Sequence, residues 1–280
     1  MKRILITGSR GFTGQYLLAE LNNHPHLAPI EFQGDLLDEK NLYRQIEKYQ
    51  PDAIVHLAGI SFVPAADNIK VYQLHTLASE QLLKCAAQNS KVKQVIMASS
   101  SVVYGLNPTP QETDCLAPIN HYGLSKFAME QLAKNYQDDL KIVITRPFNY
   151  TGRGQAQHFL IPKLIRHFQQ KKAEIELGNM HIARDFSDVR WIVKVYAALL
   201  MQENIQGSYN LCSGNQYYLR AILAYLEHRS LHMPTYTTNP QFVRHNDLVT
   251  QQGSHQKLQN LLPQLETIPF FETLDWMLAQ

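Results

Sequence analysis

Lys2-Arg3-Ile4-Leu5-Ile6-Thr7-Gly8-Ser9-Arg10-Gly11-Phe12-Thr13-Gly14 stands at the head of this chain, and the order of its parts decides the fold. The apolar run reads as a buried strand, and the segment Gln15 to Asn22 that follows has helical periodicity. Gly8, Gly11 and Gly14 fall at the turn between them. Small residues there let the backbone approach a diphosphate, and the first turn of the helix offers unpaired N–H donors. Glycines serve many turns, so the motif is informative because a strand precedes it and a helix follows. In that context it points to dinucleotide binding, with Phe12 and Arg10 inside the same turn.

The same rhythm continues outward. Ala53 to Leu57 precedes a helical stretch over Val71 to Ala87, Val95 to Ala98 precedes one over Tyr122 to Tyr136, and Lys141 to Thr145 is a further apolar run. Alternating short runs and helical segments predict an α/β fold, a doubly wound parallel Rossmann sheet. The stretch between Asn22 and Gly34 is short and carries Pro25 and Pro29, so a curtailed second strand is expected around Pro29 to Gln33. After Pro147 the pattern loosens: a helix over Ile161 to Lys171, a strand over Ala173 to Leu177, a helix over Val189 to Met201 and a strand over Tyr209 to Cys212. We expect residues 1–150 with roughly 183–213 to form the dinucleotide-binding domain. Residues 151–182 and 214–280 would form a smaller C-terminal substrate-binding lobe interleaved with it.

Composition removes several classes of function. Lysine and arginine total 26 against 24 aspartates and glutamates, so net charge recommends neither nucleic acid nor a membrane surface as a partner. Three cysteines, Cys85, Cys115 and Cys212, lack paired metal-ligand spacing, and neither a zinc site nor a disulfide is expected. A start directly on a strand, and the lack of a long apolar run, lead us to expect a cytoplasmic protein.

Chemistry enters with Ser100, Tyr122 and Lys126. Tyr122 and Lys126 lie four apart on a predicted helix and share one face. A neighbouring ammonium stabilises a phenolate, which suits Tyr122 to shuttle a proton near neutral pH. Ser100, beyond the Val95 to Ala98 strand, can hydrogen-bond the same substrate oxygen as charge develops on it. For the coenzyme, Glu31 is the one carboxylate near the end of the second strand for a ribose 2′-OH. Arg10 can instead pair with a 2′-phosphate. We therefore expect NADP(H), with NAD(H) as the other possibility.

With those residues in view, the chain resembles the extended short-chain dehydrogenases/reductases of the nucleotide-sugar branch. The likeness runs from Gly8–Gly14 through Gly34-Asp35-Leu36, His56-Leu57-Ala58-Gly59, Ser99 to Gly105 and Tyr122 to Lys126. It continues through Arg146 to Asn149, Arg184-Asp185-Phe186 and Tyr209 to Gly214. The resemblance implies that Asp35 and Leu36 flank the adenine, Ala58 lies along the dinucleotide, and Tyr122 and Lys126 also touch the nicotinamide half. Arg146 to Gln155 and Leu177 to Phe186 are most similar to enzymes acting on GDP-mannose and its 4-keto-6-deoxy derivative. By that similarity a sugar nucleotide is the substrate and Asn149 touches its sugar or phosphate. Phe159 to Pro162, Ile161 included, and Asn179 would line the base pocket, and Arg184 and Arg244 would grip the diphosphate. Members of the family usually dimerise through the helix bearing Tyr122 and the one before it, so a homodimer is expected.

Two departures narrow the reaction. Where the 4,6-dehydratases of this branch carry a glutamate, this chain has Val102, which cannot move a proton. That favours reduction of a 4-keto-6-deoxy sugar nucleotide over dehydration. Where the family commonly has an asparagine, this chain has His75, which we read as a packing or capping variant; a histidine, His121, also precedes Tyr122 and is read as shaping the pocket, and neither is read as a catalyst. The competing readings are an NAD-dependent 4-epimerase and a non-catalytic nucleotide-binding protein, the latter disfavoured by the intact Ser100, Tyr122 and Lys126.

Overall fold

The structure, a computed structural model, describes residues 1–60, 67–243 and 248–279. The chain begins β1 (Lys2–Thr7), α1 (Phe12–Asn22), β2 (Leu27–Glu31), α2 (Glu39–Tyr49), β3 (Ala53–His56) and α3 (Asn68–Tyr72). A π-helical turn over Gln73–Leu77 runs into α4 (Ala78–Ala87), followed by β4 (Gln94–Ala98), α5 (His121–Ala133) and β5 (Lys141–Pro147). Then come β6 (Asn149–Thr151), α6 (Leu160–Gln169), β7 (Glu174–Leu177), β8 (Ala183–Asp188), α7 (Val189–Leu200) and β9 (Gly207–Leu211). The remainder is β10 (Gln216–Tyr218), α8 (Leu219–Ser230), β11 (Thr235–Thr238), β12 (Thr250–Gln251), α9 (Gln256–Leu261) and α10 (Phe270–Leu278).

Two compact units divide these elements, one of residues 1–105, 112–147 and 193–211, the other of residues 106–111, 148–192 and 212–280. The first is a six-stranded sheet in the order β2-β1-β3-β4-β5-β9, parallel throughout. Parallel strands with both faces covered read as continuous apolar runs. Accordingly Ile4, Leu5 and Ile6 in β1, Ile54 and Val55 in β3, and Val95, Ile96 and Met97 in β4 have no exposed surface. This is the doubly wound Rossmann sheet expected from the strand and helix rhythm. Its strands point their carboxyl ends the same way, so the loops after β1, β3 and β4 meet at one edge, where open α/β sheets bind ligands.

The second strand differs from its expected position. It runs Leu27–Glu31, earlier than Pro29–Gln33, and pairs with β1 along its whole length. Pro29 sits inside it without disrupting the sheet, because β2 is an edge strand where one N–H row has no partner strand. The chain leaves the strand because Gln33 is captured by α2: its carbonyl accepts from Asn41 at 2.8 Å and its N–H donates to Gln45 at 3.0 Å. Gly34 then turns with φ +101°.

In the second unit, β8 is the centre of a small mixed sheet, pairing with β10, β12 and β6, and β7 pairs with β11. Its core gathers Ile161, Leu164 and Phe168 of α6, Ile222 and Leu226 of α8 and Phe270 and Leu274 of α10. Phe186 stacks on Phe270 with ring centroids 4.9 Å apart. Asp185, without exposed surface, accepts from Ser213 N, Ser213 Oγ and Gly214 N at 2.8–2.9 Å, which ties β8 to the turn before β10. No helix among the described residues is long and apolar enough to cross a membrane.

Core packing makes a direct prediction. Leu5 is fully buried in the first unit's core while Leu37 is 38% exposed. Leu5→Ala should lower stability by roughly 2–5 kcal/mol in urea unfolding, and Leu37→Ala by about 0.5 kcal/mol or less. Equal losses would contradict the burial of Leu5 in the first unit's core.

Candidate active site

The glycine turn is built for close approach. Gly8 has φ +71°, in the left-handed region, and a Cβ there would lie 2.7 Å from the Ala58 nitrogen. A Cβ on Gly14 would lie 2.2 Å from the Gly8 carbonyl oxygen, so α1 packs against the turn as only glycine allows. Gly11 caps α1 with no side chain, and no acidic residue occupies the helix's first turn. No acidic side chain of the helix's own first turn therefore opposes an anion at its N-terminus.

A cavity of about 270 Å³ opens beside this turn, lined by Gly8, Arg10, Gly11, Asp35, Leu36, Ala58 and, behind them, Ser9, Phe32, Gln33, Gly34 and Leu74. The residues read as holding a dinucleotide from loops after β1, β2 and β3 thus share one concavity. Phe12 lies on the first turn of α1 with its ring against Tyr16 at 5.5 Å, outside that lining. The buried Ser9 hydroxyl donates to Glu31 at 2.9 Å, and Arg10 Nη2 donates to Gln33 at 2.6 Å. The cavity and the glycine cradle fit a dinucleotide's diphosphate and adenosine.

Beyond β4 the backbone enters a short 3₁₀ turn over Ser101–Tyr104. Ser100 caps it, its Oγ accepting from the Val102 N–H at 3.3 Å. Tyr122 and Lys126 sit on α5, whose N-terminus is capped by Asn120 accepting from Gly123 at 2.8 Å. Gly123 lets the two segments meet: a Cβ on it would lie 3.1 Å from Val102 Cγ1. Val102 thus packs against the turn of α5 next to Tyr122. Lys126, 6% exposed, donates from Nζ to the Ala98 carbonyl at 2.7 Å, two residues before Ser100. The structure brings the serine turn and the Tyr122–Lys126 turn together.

Electrostatics follow from burial. Loss of hydration pulls the Lys126 ammonium down to about 8, with the Glu130 carboxylate one turn along opposing the shift. Glu130 is itself engaged: Arg146 grips it bidentately at 2.7 and 3.1 Å, and Ser99 donates to it at 2.5 Å. Arg146 also donates to Tyr104, whose hydroxyl donates to Asn210 at 2.7 Å. Burial pushes the Tyr104 phenol up to about 12, so it is a structural donor and not a second proton shuttle.

Two buried histidines were not identifiable as part of this site from residue pattern. His56 ends β3, with Nδ1 2.6 Å from Thr7 Oγ1 and Nε2 2.8 Å from Ser79 Oγ. His75, in the π-helical turn, lies edge-on to the Tyr122 ring at 5.4 Å. Burial and the Lys126 charge depress them to about 3 and about 2, so both are neutral at physiological pH. The one signal in sequence was His75 standing where the resemblance expects asparagine.

The residues read as substrate contacts lie in the second unit. Asn149 Nδ2 donates to the Asp185 carbonyl at 3.2 Å, and Arg184 Nη1 donates to the Ala183 carbonyl at 2.8 Å. Asn179 follows Gly178 in the turn after β7. Ile161 is 2% exposed, its side chain committed to the core of that unit. Arg244 lies outside the described residues.

Comparison with known proteins agrees with this arrangement. Residues 4–212 match the NAD dependent epimerase/dehydratase family. Over 267 residues the chain is 34% identical to the GDP-6-deoxy-D-talose 4-dehydrogenase of Aggregatibacter actinomycetemcomitans, covering 93% of this chain and 91% of that protein. It is 28% identical to the GDP-6-deoxy-D-mannose reductase of Pseudomonas aeruginosa, covering 92% and 90%. The structure of RMD from Pseudomonas aeruginosa complexed with NADPH superposes with a TM-score of 0.91 at 27% identity, over 100% of this chain and 98% of that one. A fingerprint turn, a serine turn and a Tyr-x-x-x-Lys helix on one parallel sheet, matched over most of their length, make this chain a member of the NAD dependent epimerase/dehydratase family, the extended short-chain dehydrogenases/reductases.

Proposed function

We propose that this chain reduces the 4-keto group of a 4-keto-6-deoxy nucleotide sugar, of the GDP-4-keto-6-deoxymannose type, with NADP(H). The proposal narrows what family membership makes it, an NAD(P)-dependent oxidoreductase of the nucleotide-sugar class. The observation that carries it is a complete proton-transfer set, Ser100, Tyr122 and Lys126, beside a valine, Val102, where dehydration would need a carboxylate. Relatives named GDP-6-deoxy-D-talose 4-dehydrogenase and GDP-6-deoxy-D-mannose reductase support it.

In this reading Gly8, Arg10, Gly11, Phe12 and Gly14 hold the diphosphate end of the coenzyme, and Asp35, Leu36 and Ala58 the adenosine side. Arg10 faces a 2′-phosphate, and its hold on Gln33 keeps the guanidinium at the cavity rim. The bound nicotinamide supplies the hydride. Tyr122 Oη gives its proton to the oxygen on C4 as negative charge grows there, and Ser100 Oγ donates a second hydrogen bond to that oxygen. The Lys126 ammonium stabilises the phenolate that Tyr122 becomes. Asn149, Asn179, Arg184 and Arg244 are the candidates for the nucleotide-sugar end, the arginines suited to the diphosphate by their forked donors.

One observation favours a second reading, an NAD-dependent 4-epimerase. Glu31 closes β2 with its carboxylate held by Ser9, a placement suited to a ribose 2′-OH. Tightly retained NAD in the purified protein would support that alternative.

Exposed apolar side chains support a homodimer built on α5 and the helical run before it: Ile69 of α3, Leu77 of the π-helical turn and Leu124 of α5 are 71%, 51% and 40% exposed.

Three outcomes test these readings. Loss of NADPH absorbance should accompany addition of GDP-4-keto-6-deoxymannose, more slowly with NADH, and Tyr122→Phe should cut kcat about 100-fold or more while NADPH binding persists. Unchanged turnover in that variant would exclude the proton path. Reduction requires charged Lys126 and protonated Tyr122, and the ammonium is lost above its depressed pKa, so kcat/KM should fall as pH rises through about 8; a rate still rising beyond that point would contradict the assignment. Sedimentation should give twice the chain mass of 32.1 kDa, reduced to one by Leu124→Glu, and a monomeric wild-type protein would rule out the dimer.

A further inference from the structure

His75 has no exposed surface, yet both of its ring nitrogens are engaged. The Ile60 backbone N–H donates to Nε2 at 2.9 Å. A backbone N–H can only donate, so Nε2 holds a lone pair and the ring hydrogen resides on Nδ1. Nδ1 lies 2.9 Å from Ser125 Oγ, and that hydroxyl in turn donates to the Tyr122 carbonyl at 2.8 Å. The polarity therefore runs in one direction: Ile60 N–H to His75, His75 Nδ1–H to Ser125, Ser125 O–H to Tyr122.

The ring is also wedged in place. A Cβ on Gly59 would lie 3.0 Å from His75 Nε2 and 3.4 Å from Lys126 Nζ, so the backbone leaving β3 has room beside the imidazole and the ammonium only for glycine. On its other side His75's own carbonyl accepts from Ser79 Oγ at 2.7 Å. Ser79 must then accept from His56 Nε2–H, leaving His56 Nδ1 to accept from Thr7, which accepts from Ala58 N–H at 3.3 Å. Lys126 and Tyr122 on α5 and His56 on β3 are the titratable groups that face His75.

We propose that His75 is a positioning residue: as a neutral imidazole with its hydrogen on Nδ1, it registers Tyr122 and Lys126 against the Ala58–Ile60 backbone that borders the coenzyme cavity. The role rests on the reading of Tyr122 and Lys126 as the proton-transfer pair. A charged ring would set an N–H against the Ile60 N–H and a second cation beside Lys126, so the neutral tautomer is the one the surroundings accept. The substitutions separate its two bonds. An asparagine side chain reaches the position of Nδ1 and keeps the Ser125 arm, whereas glutamine reaches that of Nε2 and keeps the Ile60 arm.

Long-range proton–nitrogen correlation on protein labelled in its histidine rings, with His75→Asn identifying the signal, tests the tautomer directly. The expected spectrum shows hydrogen on Nδ1 only, unchanged down to about pH 5, where an ordinary histidine is charged. Hydrogen on Nε2, or protonation in that range, would overturn the proposal. In the reductase assay Ser125→Ala and His75→Gln should lower kcat about tenfold, the effect of one positioning hydrogen bond. KM and NADPH affinity should stay within about twofold, and His75→Asn should recover most of the loss. Wild-type kcat in Ser125→Ala would equally overturn it. Should the wild-type protein reduce no 4-keto sugar nucleotide, the reading of the reaction falls, and the ring spectrum still decides whether His75 holds this tautomer.

Discussion

A buried lysine ammonium at the carboxyl end of β4 is the constraint around which the first unit's interior is arranged. Removing Lys126 from water disfavours its charge, and the Ala98 carbonyl at 2.7 Å returns one hydrogen bond. The natural counter-charge, Glu130, is largely claimed by Arg146 and Ser99. Lys126 is thus left charged but poorly compensated, which pulls its pKa to about 8. A tightly balanced ammonium would have little field left for a neighbouring phenol; this one retains it.

The same ammonium explains the neutrality of its surroundings. His56 and His75 stand near it and would add repulsion if protonated; the Ile60 N–H, which can only donate, fixes the tautomer of His75, and the Ser79 hydroxyl, which already donates to the His75 carbonyl, fixes that of His56. Their bonds pass through Thr7, Ser79 and Ser125, so strands β1 and β3, helix α4 and helix α5 share one polar seam beneath the coenzyme cavity. Buried polar groups are tolerated when every member is satisfied, and such a network admits fewer alternative packings than an apolar seam. The Arg146–Glu130 pair, 6% and 4% exposed, serves β5 and α5 in the same way on the other side of Lys126. Breaking one partner of such a pair costs more than the pair contributes, because a charge is left buried alone.

Much of the fold was legible in residue order. The glycine turn, the runs at Ile4, Ile54, Val95 and Ile142, and the helical segments between them led to the parallel sheet because burial on both faces leaves a strand little choice but continuous apolar sequence. The position of β2 was not legible: its end is set by Asn41 and Gln45 capturing Gln33, side chains of a helix that follows it. The π-helical turn at Gln73–Leu77 was read as ordinary helix, since one extra residue in a turn leaves no mark on hydrophobic period. The burial of Ile161 in the second unit's core depends on where α6 lies against α8 and α10.

By itself, then, the sequence determined the dinucleotide fold, the spacing that makes Ser100, Tyr122 and Lys126 candidates for proton transfer, and the valine at position 102, because these depend on residue type and short spacing along one strand or helix. Only the tertiary structure decided how they are held. The Lys126 pKa, the tautomers of His56 and His75, and the contact of Val102 with Gly123 arise where elements distant in the chain meet, and both desolvation and hydrogen-bond polarity are properties of that meeting.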